Sequence, residues 1–164
     1  MGVFFMDTLL KLLSENGRLS LEQLASLTAT TETEVATKMD EYQANGIIAG
    51  YQAIVNWEKA GSELVSSIIE VNISPKRDFG FDEFASIISK FPEVESVYLM
   101  SGGYDISITV KGNSFRDIAM FVSKKLSPMD SVLSTATHFV LKIYKDHGVV
   151  FLDEKSDERG LASL

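Results

Sequence analysis

Val94-Glu95-Ser96-Val97-Tyr98-Leu99-Met100-Ser101-Gly102-Gly103-Tyr104-Asp105-Ile106-Ser107-Ile108-Thr109-Val110-Lys111 consists of two β-prone runs joined by a glycine pair. Val94–Met100 reads as one strand, Gly102-Gly103 as a turn, and Asp105–Lys111 as the next strand, with Ile106, Ile108 and Val110 on one face. Upstream, Phe81, Phe84, Ala85 and Ile88 fall at helical spacing, and Phe91-Pro92 ends that helix. Downstream, Phe115, Ile118, Ala119, Val122 and Leu126 define a second amphipathic helix, followed by Pro128. Each helix is flanked on its far side by a further strand. Leu64–Ser74 carries Ile69, Val71 and Ile73 at period two, and Val132–Tyr144 reads as a long strand. Pro75–Asp78 is expected to be a loop. The order is β-α-β-β-α-β, the split βαβ or ferredoxin-like arrangement of an α+β domain.

Two details of this half go beyond the fold. In the last strand, Leu133, Thr135, Thr137, Phe139, Leu141 and Ile143 alternate with Val132, Ser134, Ala136, His138, Val140, Lys142 and Tyr144, so both faces are partly apolar. Helices cover one face of such a sheet, and an uncovered apolar face is commonly a subunit interface; an isologous dimer through the open face is expected. Secondly, Gly102-Gly103-Tyr104-Asp105 lets backbone N–H groups approach an anionic group, with Asp105 placed to receive an ammonium. A hairpin turn that needs positive φ accounts for the glycines equally well.

The first sixty residues follow a different rhythm. Phe5, Leu9, Leu12 and Leu13 recur at helical spacing up to Asn16-Gly17. Ser20 with Gln23 has the form of a capping box and opens a helix with Leu21, Leu24, Ala25 and Leu27 on one face. Thr31 with Glu34 is a second capping box, opening a helix with Val35, Met39 and Tyr42 inward that Asn45-Gly46 terminates. A tight turn near Thr28–Thr30 between the last two helices makes a helix-turn-helix. The β-prone run Ile47–Val55, broken by Gly50, is expected to form a two-stranded wing. A three-helix structural unit with no nucleic-acid role fits the periodicity as well.

The chain has 164 residues and no cysteine, which excludes disulfides, thiolate nucleophiles and Cys-based metal sites. No run approaches the length of a membrane span, and Met1–Asp7 has no basic region before its apolar stretch; a soluble cytoplasmic protein is expected. Net charge is −8, and no segment is strongly basic, which by itself argues against a nucleic-acid binder. His138 and His147 have no carboxylate at ligand spacing, so no metal is expected. Asp82-Glu83 and Glu93/Glu95 suit helix-dipole and solvated roles. With no phosphate loop of Walker type and no nucleophile elbow, no catalytic constellation, enzyme activity or cofactor is expected. The expected division is 1–60 for the helix-turn-helix and connecting ribbon, 61–147 for the sensing and dimerising domain, and 148–164 for an acidic tail that Val149–Leu152 opens as an extra strand.

Three runs in order make the chain resemble the Lrp/AsnC, or feast/famine, family of transcription regulators. They are Asn16-Gly17-Arg18 with Ser20, Leu24-Ala25, Val35 and Asn45–Tyr51; then Val97 to Asp105; then Thr135-Ala136-Thr137-His138-Phe139-Val140-Leu141-Lys142, similar to the family's threonine-rich terminal strand. The resemblance covers roughly residues 5–145. It implies a winged helix-turn-helix DNA-binding domain followed by a ligand-sensing (RAM) domain, in dimers that assemble further into tetramers or octamers. It also implies an amino acid or related small molecule bound beside the glycine turn, through Gly102, Gly103, Tyr104 and Asp105 with Thr135 and Thr137. The implied double-stranded DNA surface comprises Arg18, Thr31, Thr33, Glu34, Thr37 and Lys38.

The sequence departs from the family along the recognition helix, where arginine or lysine is usual. Residues 31–46 hold one basic group, Lys38, against Glu32, Glu34, Asp40 and Glu41. Phosphate neutralisation supplies most DNA affinity, so binding is expected to be weak per dimer and to rely on avidity in a larger assembly. The alternative is an amino-acid-binding oligomeric module whose helix-turn-helix no longer binds DNA.

Overall fold

Asp7 opens the first helix of the computed structural model, which describes residues 7–74 and 80–152. The chain divides into two units, Met1–Ile54 and Val55–Leu164. In the first, helix α1 (Thr8–Glu15) begins where the Asp7 carboxylate accepts from the Leu9 N–H at 2.8 Å. Ser20 and Gln23 close a capping box at the start of α2 (Leu21–Thr28), and Thr31 and Glu34 close another at α3 (Glu32–Ala44). Each such cap contributes about 1 kcal/mol, enough to fix where a short helix starts. Ala29, in the left-handed region at φ 53°, makes the tight turn after α2. Leu9, Leu13, Leu24, Ala25, Val35 and Tyr42 form the core, with Met39 packed against it. Leu21 and Leu27, expected on the inward face of α2, are exposed instead. With eight residues the helix buries a narrow stripe, which Leu24 and Ala25 fill. Phe5 lies outside the described residues.

The expected wing is absent: Ile47–Val55 forms no strand among the described residues. The Ile47 and Ile48 amides both donate to the Tyr42 carbonyl, at 2.8 and 3.1 Å, and close the end of α3 around Gly46 (φ 69°). Amides committed to a helix terminus are lost to a ladder, and a run that pairs with no neighbour is not a strand.

The second unit is the expected α+β domain. Strands β1 (Val65–Ile73), β2 (Val94–Leu99), β3 (Ile106–Gly112) and β4 (Val132–Phe139) form an antiparallel sheet in the order β2-β3-β1-β4. Helices α4 (Phe81–Ile88) and α5 (Phe115–Phe121) follow β1 and β3. Ile69, Val71, Ile73, Ile106, Ile108 and Val110 from the sheet pack with Phe84, Ile88, Ile118 and Phe121 from the helices. Each fully buried side chain of this kind contributes roughly 1.5–3 kcal/mol. Ser67, also fully buried, leaves its hydroxyl without a hydrogen-bond partner. Glu83 reaches back to the Gly80 N–H at 2.8 Å, and Glu93 and Glu95 pair with Lys125 and Lys111. The loop expected at Pro75–Asp78 lies outside the described residues.

Two elements differ from expectation. The helix after β3 does not run through Leu126 as α; Val122–Leu126 is a π-helical turn, with the Ser127 N–H bonded to the Val122 carbonyl at 2.8 Å. At 3.6 residues per turn, a residue five beyond Phe121 points well round the helix, and the wider turn returns Leu126 to the buried face. The last strand ends at Phe139 rather than Tyr144. Its one neighbour, β1, begins at Val65, so after the Val140 N–H bonds the Ser66 carbonyl there is nothing left to pair with. Lys145–Asp146 (β5) and Val149–Val150 (β6) instead pair around His147-Gly148, whose φ values of 44° and 84° are those of a tight hairpin turn. The acidic part of the tail, from residue 153, lies outside the described residues.

Candidate functional sites

The DNA-side residues sit where caps and helical periodicity put them. Thr33, Thr37 and Glu41 stand four apart on α3, as do Glu34 and Lys38, so the five share one outward face. They line a shallow hollow of about 280 Å³. Several polar atoms there are already committed. Thr31 Oγ1 accepts from the Glu34 N–H, while Glu34 accepts from the Thr31 N–H and hydroxyl, each at 2.9 Å. Those bonds, the backbone one foremost, hold the Glu34 carboxyl below its usual range. The Thr37 hydroxyl donates to the Thr33 carbonyl. Arg18 lies in the α1–α2 loop, exposed, with its N–H on the Asn16 side chain. It does not line the α3 hollow.

Lys38 has a partner that the sequence reading missed. Its Nζ lies 3.6 Å from Asp7 Oδ2 and 5.9 Å from the centre of the Tyr42 ring. The Tyr42 hydroxyl donates to the same Asp7 oxygen. That hydrogen bond, with Leu9 and Lys38 adding to it, keeps the Asp7 carboxyl below its usual range; burial, with Asp7 beside it, pushes Tyr42 up to about 12. The signal was Asp7 itself, a good N-cap residue two positions before the first periodic leucine, Leu9. A second hollow of about 450 Å³, lined among others by Asp7, Thr28, Thr30, Glu34 and Lys38, lies on this side of the helix.

On the sensor side the six expected residues do not converge. Asp105 stands opposite Asn72 by the β1–β3 register, and its carboxylate accepts from the Ile73 N–H at 2.9 Å. Its own amide donates to the Val71 carbonyl, so Asp105 ties the start of β3 to the end of β1. The register continues this row through Asn72 to Ser134, whose side chains bond at 3.1 Å, on the face away from the helices. Thr135 and Thr137 pair with Val71 and Ile69, and therefore point to the helix-covered face. Gly102, at φ 155°, precedes Gly103 and the half-buried Tyr104 in the β2–β3 turn. The open face also carries Ile68, Ala136 and the contact of His138 Nε2 with Glu70 Oε1 at 3.4 Å.

A helix-turn-helix in front of a four-stranded βαββαβ sensor domain defines a class of transcription regulators, not of enzymes. Residues 66–150 match the Lrp/AsnC ligand binding domain. The chain is 47% identical over 156 residues to the uncharacterized HTH-type transcriptional regulator YugG of Bacillus subtilis, covering 94% of each. To the proline dehydrogenase transcriptional activator of Rhizobium radiobacter it is 29% identical over 141 residues, covering 86% of this chain and 90% of that one. Among solved structures, it is similar to a Neisseria meningitidis transcriptional regulator in complex with L-Met, with 26% identity, TM-score 0.67, and coverage of 84% and 88%. The fold is also that of E. coli AsnC, with 22% identity, TM-score 0.61, and coverage of 82% and 89%. The chain belongs to the Lrp/AsnC family of HTH-type transcriptional regulators.

Proposed function

We propose that this regulator binds double-stranded DNA through the outer face of α3 and the α1–α2 loop, and that an amino acid or related small molecule controls it from the sensor domain. The DNA surface comprises Arg18, Thr31, Thr33, Glu34, Thr37 and Lys38. The effector residues are Gly102, Gly103, Tyr104 and Asp105 at the β2–β3 turn and Thr135 and Thr137 of β4, which lie apart within one chain and are brought together where subunits meet. The observation that carries this reading is the match of residues 66–150 to the family's ligand binding domain, downstream of a helix-turn-helix whose helices begin at two complete capping boxes. The L-Met complex of the Neisseria relative supports an amino acid as the effector class. The open sheet face, with Ile68 and Ala136 uncovered, supports a homodimer paired through that face, assembling to tetramers or octamers. An effector that favours one assembly state shifts the population and repositions the DNA-binding units. Among the described residues no helix is long and apolar enough to cross a membrane, which suits a cytoplasmic site of action.

The test is capture from a random duplex pool at low salt, with and without an amino-acid mixture, alongside thermal shift against single amino acids. Sequence enrichment that changes with the mixture is expected. The acidity of α3, with four carboxylates to one ammonium, favours the second reading of an amino-acid-binding assembly module without DNA affinity. A stabilising amino acid with no enrichment of any duplex selects that reading.

A further inference from the structure

Lys38 is the single basic residue of the recognition helix, and it lines both hollows. On one side it meets the outward face with Thr33 and Thr37; on the other it meets Asp7. The Asp7 carboxylate is not a loose surface charge. The Leu9 amide and the Tyr42 hydroxyl fix it from two helices, and Tyr42 also places its ring beneath the Lys38 ammonium. The lysine side chain is half exposed and long enough to swing between the two hollows without any backbone change. A DNA phosphate approaching α3 therefore competes with a carboxylate already in place, and is repelled by it. We propose that Asp7 is an affinity-setting residue, an internal phosphate mimic that holds Lys38 and gives it up only when DNA binds. This rests on the DNA-binding reading above and deepens it: part of the weak affinity expected of so acidic a helix comes from one removable contact.

The substitution Asp7→Asn tests this cleanly, because asparagine caps helices as well as aspartate: its amide oxygen keeps the Leu9 N–H, and the amide NH2 that replaces Oδ2 donates to the Tyr42 hydroxyl oxygen. Asp7→Ser, a second uncharged cap, guards against an asparagine-specific effect. Duplex affinity is measured by fluorescence anisotropy on the full chain for wild type, Asp7→Asn, Lys38→Gln and the double variant, with Glu15→Gln as a charge-matched control at the other end of α1. Asp7→Asn is expected to tighten binding about three- to tenfold per subunit, from the lost pairing and the lost repulsion of phosphate. Glu15→Gln is expected to fall short of it. The decisive result is non-additivity: Lys38→Gln weakens binding in both backgrounds, but by clearly more in Asp7→Asn, where it removes most of the gain. Additive effects in the cycle, or equal gains from Asp7→Asn and Glu15→Gln, overturn the proposal and leave DNA binding standing. If no duplex binds any variant, the DNA-binding reading falls and takes this inference with it.

Discussion

The helix-turn-helix and the sensor domain each present six residues expected to act together, and the two groups fared differently. Five of the DNA-side six belong to one helix and its cap, whereas of the sensor six three lie in the β2–β3 turn and Asp105, Thr135 and Thr137 are split between the two faces of the sheet. On a helix, neighbourhood follows from spacing along the chain. In a sheet it follows from register, and one residue of offset sends a side chain to the opposite face. Thr135 and Asp105 sit at the same end of the sheet, yet Thr135 shares its row with Val71 and Asp105 with Asn72.

That contrast can be broken at several points. The largest effect is expected from Phe84→Ala: it empties the sensor core beside β1 and β3 and costs about 3–5 kcal/mol, read as a lower denaturation midpoint of that unit. A fall of that size in the helix-turn-helix signal, with the sensor signal unmoved, contradicts the assignment. Next comes Asp105→Asn. The amide oxygen still accepts from the Ile73 N–H, so the melting temperature holds, but an ammonium loses its counter-charge. Effector binding by calorimetry is expected to weaken about tenfold or more, and more than in Thr137→Val. Thr31→Ala removes a cap of α3 and is expected to cost about 1 kcal/mol, seen as lost far-ultraviolet helix signal at intermediate denaturant. Ser67→Ala removes a fully buried hydroxyl with no partner and is expected to stabilise the sensor domain by about 1 kcal/mol.

The smallest effect is in pH. Tyr42 is raised from 10.0 to about 12 in the folded unit, so the stability it lends is complete below pH 10.0 and is lost as pH rises towards 12. Asp7 is lowered, so its contribution is complete above the ordinary aspartate range and is lost as acid protonates the folded carboxyl. Tyr42→Phe is expected to abolish the alkaline loss in a pH series of chemical melts, and a curve unchanged by that substitution contradicts the Tyr42–Asp7 link.

Much of this architecture was legible in the chain because its signals are local. Both capping boxes, the glycine-pair turn and the strand–helix alternation are set within a few residues, and each element appears where its pattern lies. The failures share a cause. Ile47–Val55 has the composition of a strand but nothing to pair with, β4 stops where β1 runs out, and Leu21 and Leu27 lack an opposing surface. Composition reports what a segment tolerates; partners, which are remote in sequence, decide what it does. The same holds for the Asp7–Lys38 pair, which no periodicity within either helix encodes.

The widened turn at Val122–Leu126 acts like a shim inserted in a shaft. A π-turn spends one residue more than an α-turn on about the same rotation, so deleting Ser123 is expected to close it to an ordinary α-turn with Leu126 four residues beyond Phe121 and still facing the core. With the full chain length wound as plain α-helix, at about 100° for each residue, Leu126 would instead swing out of the core, and Lys125 would leave both Glu93 and the rings of Phe91 and Phe121 that it now covers. The widened turn thus takes up a surplus residue while it holds an oily anchor and a charged clasp in phase.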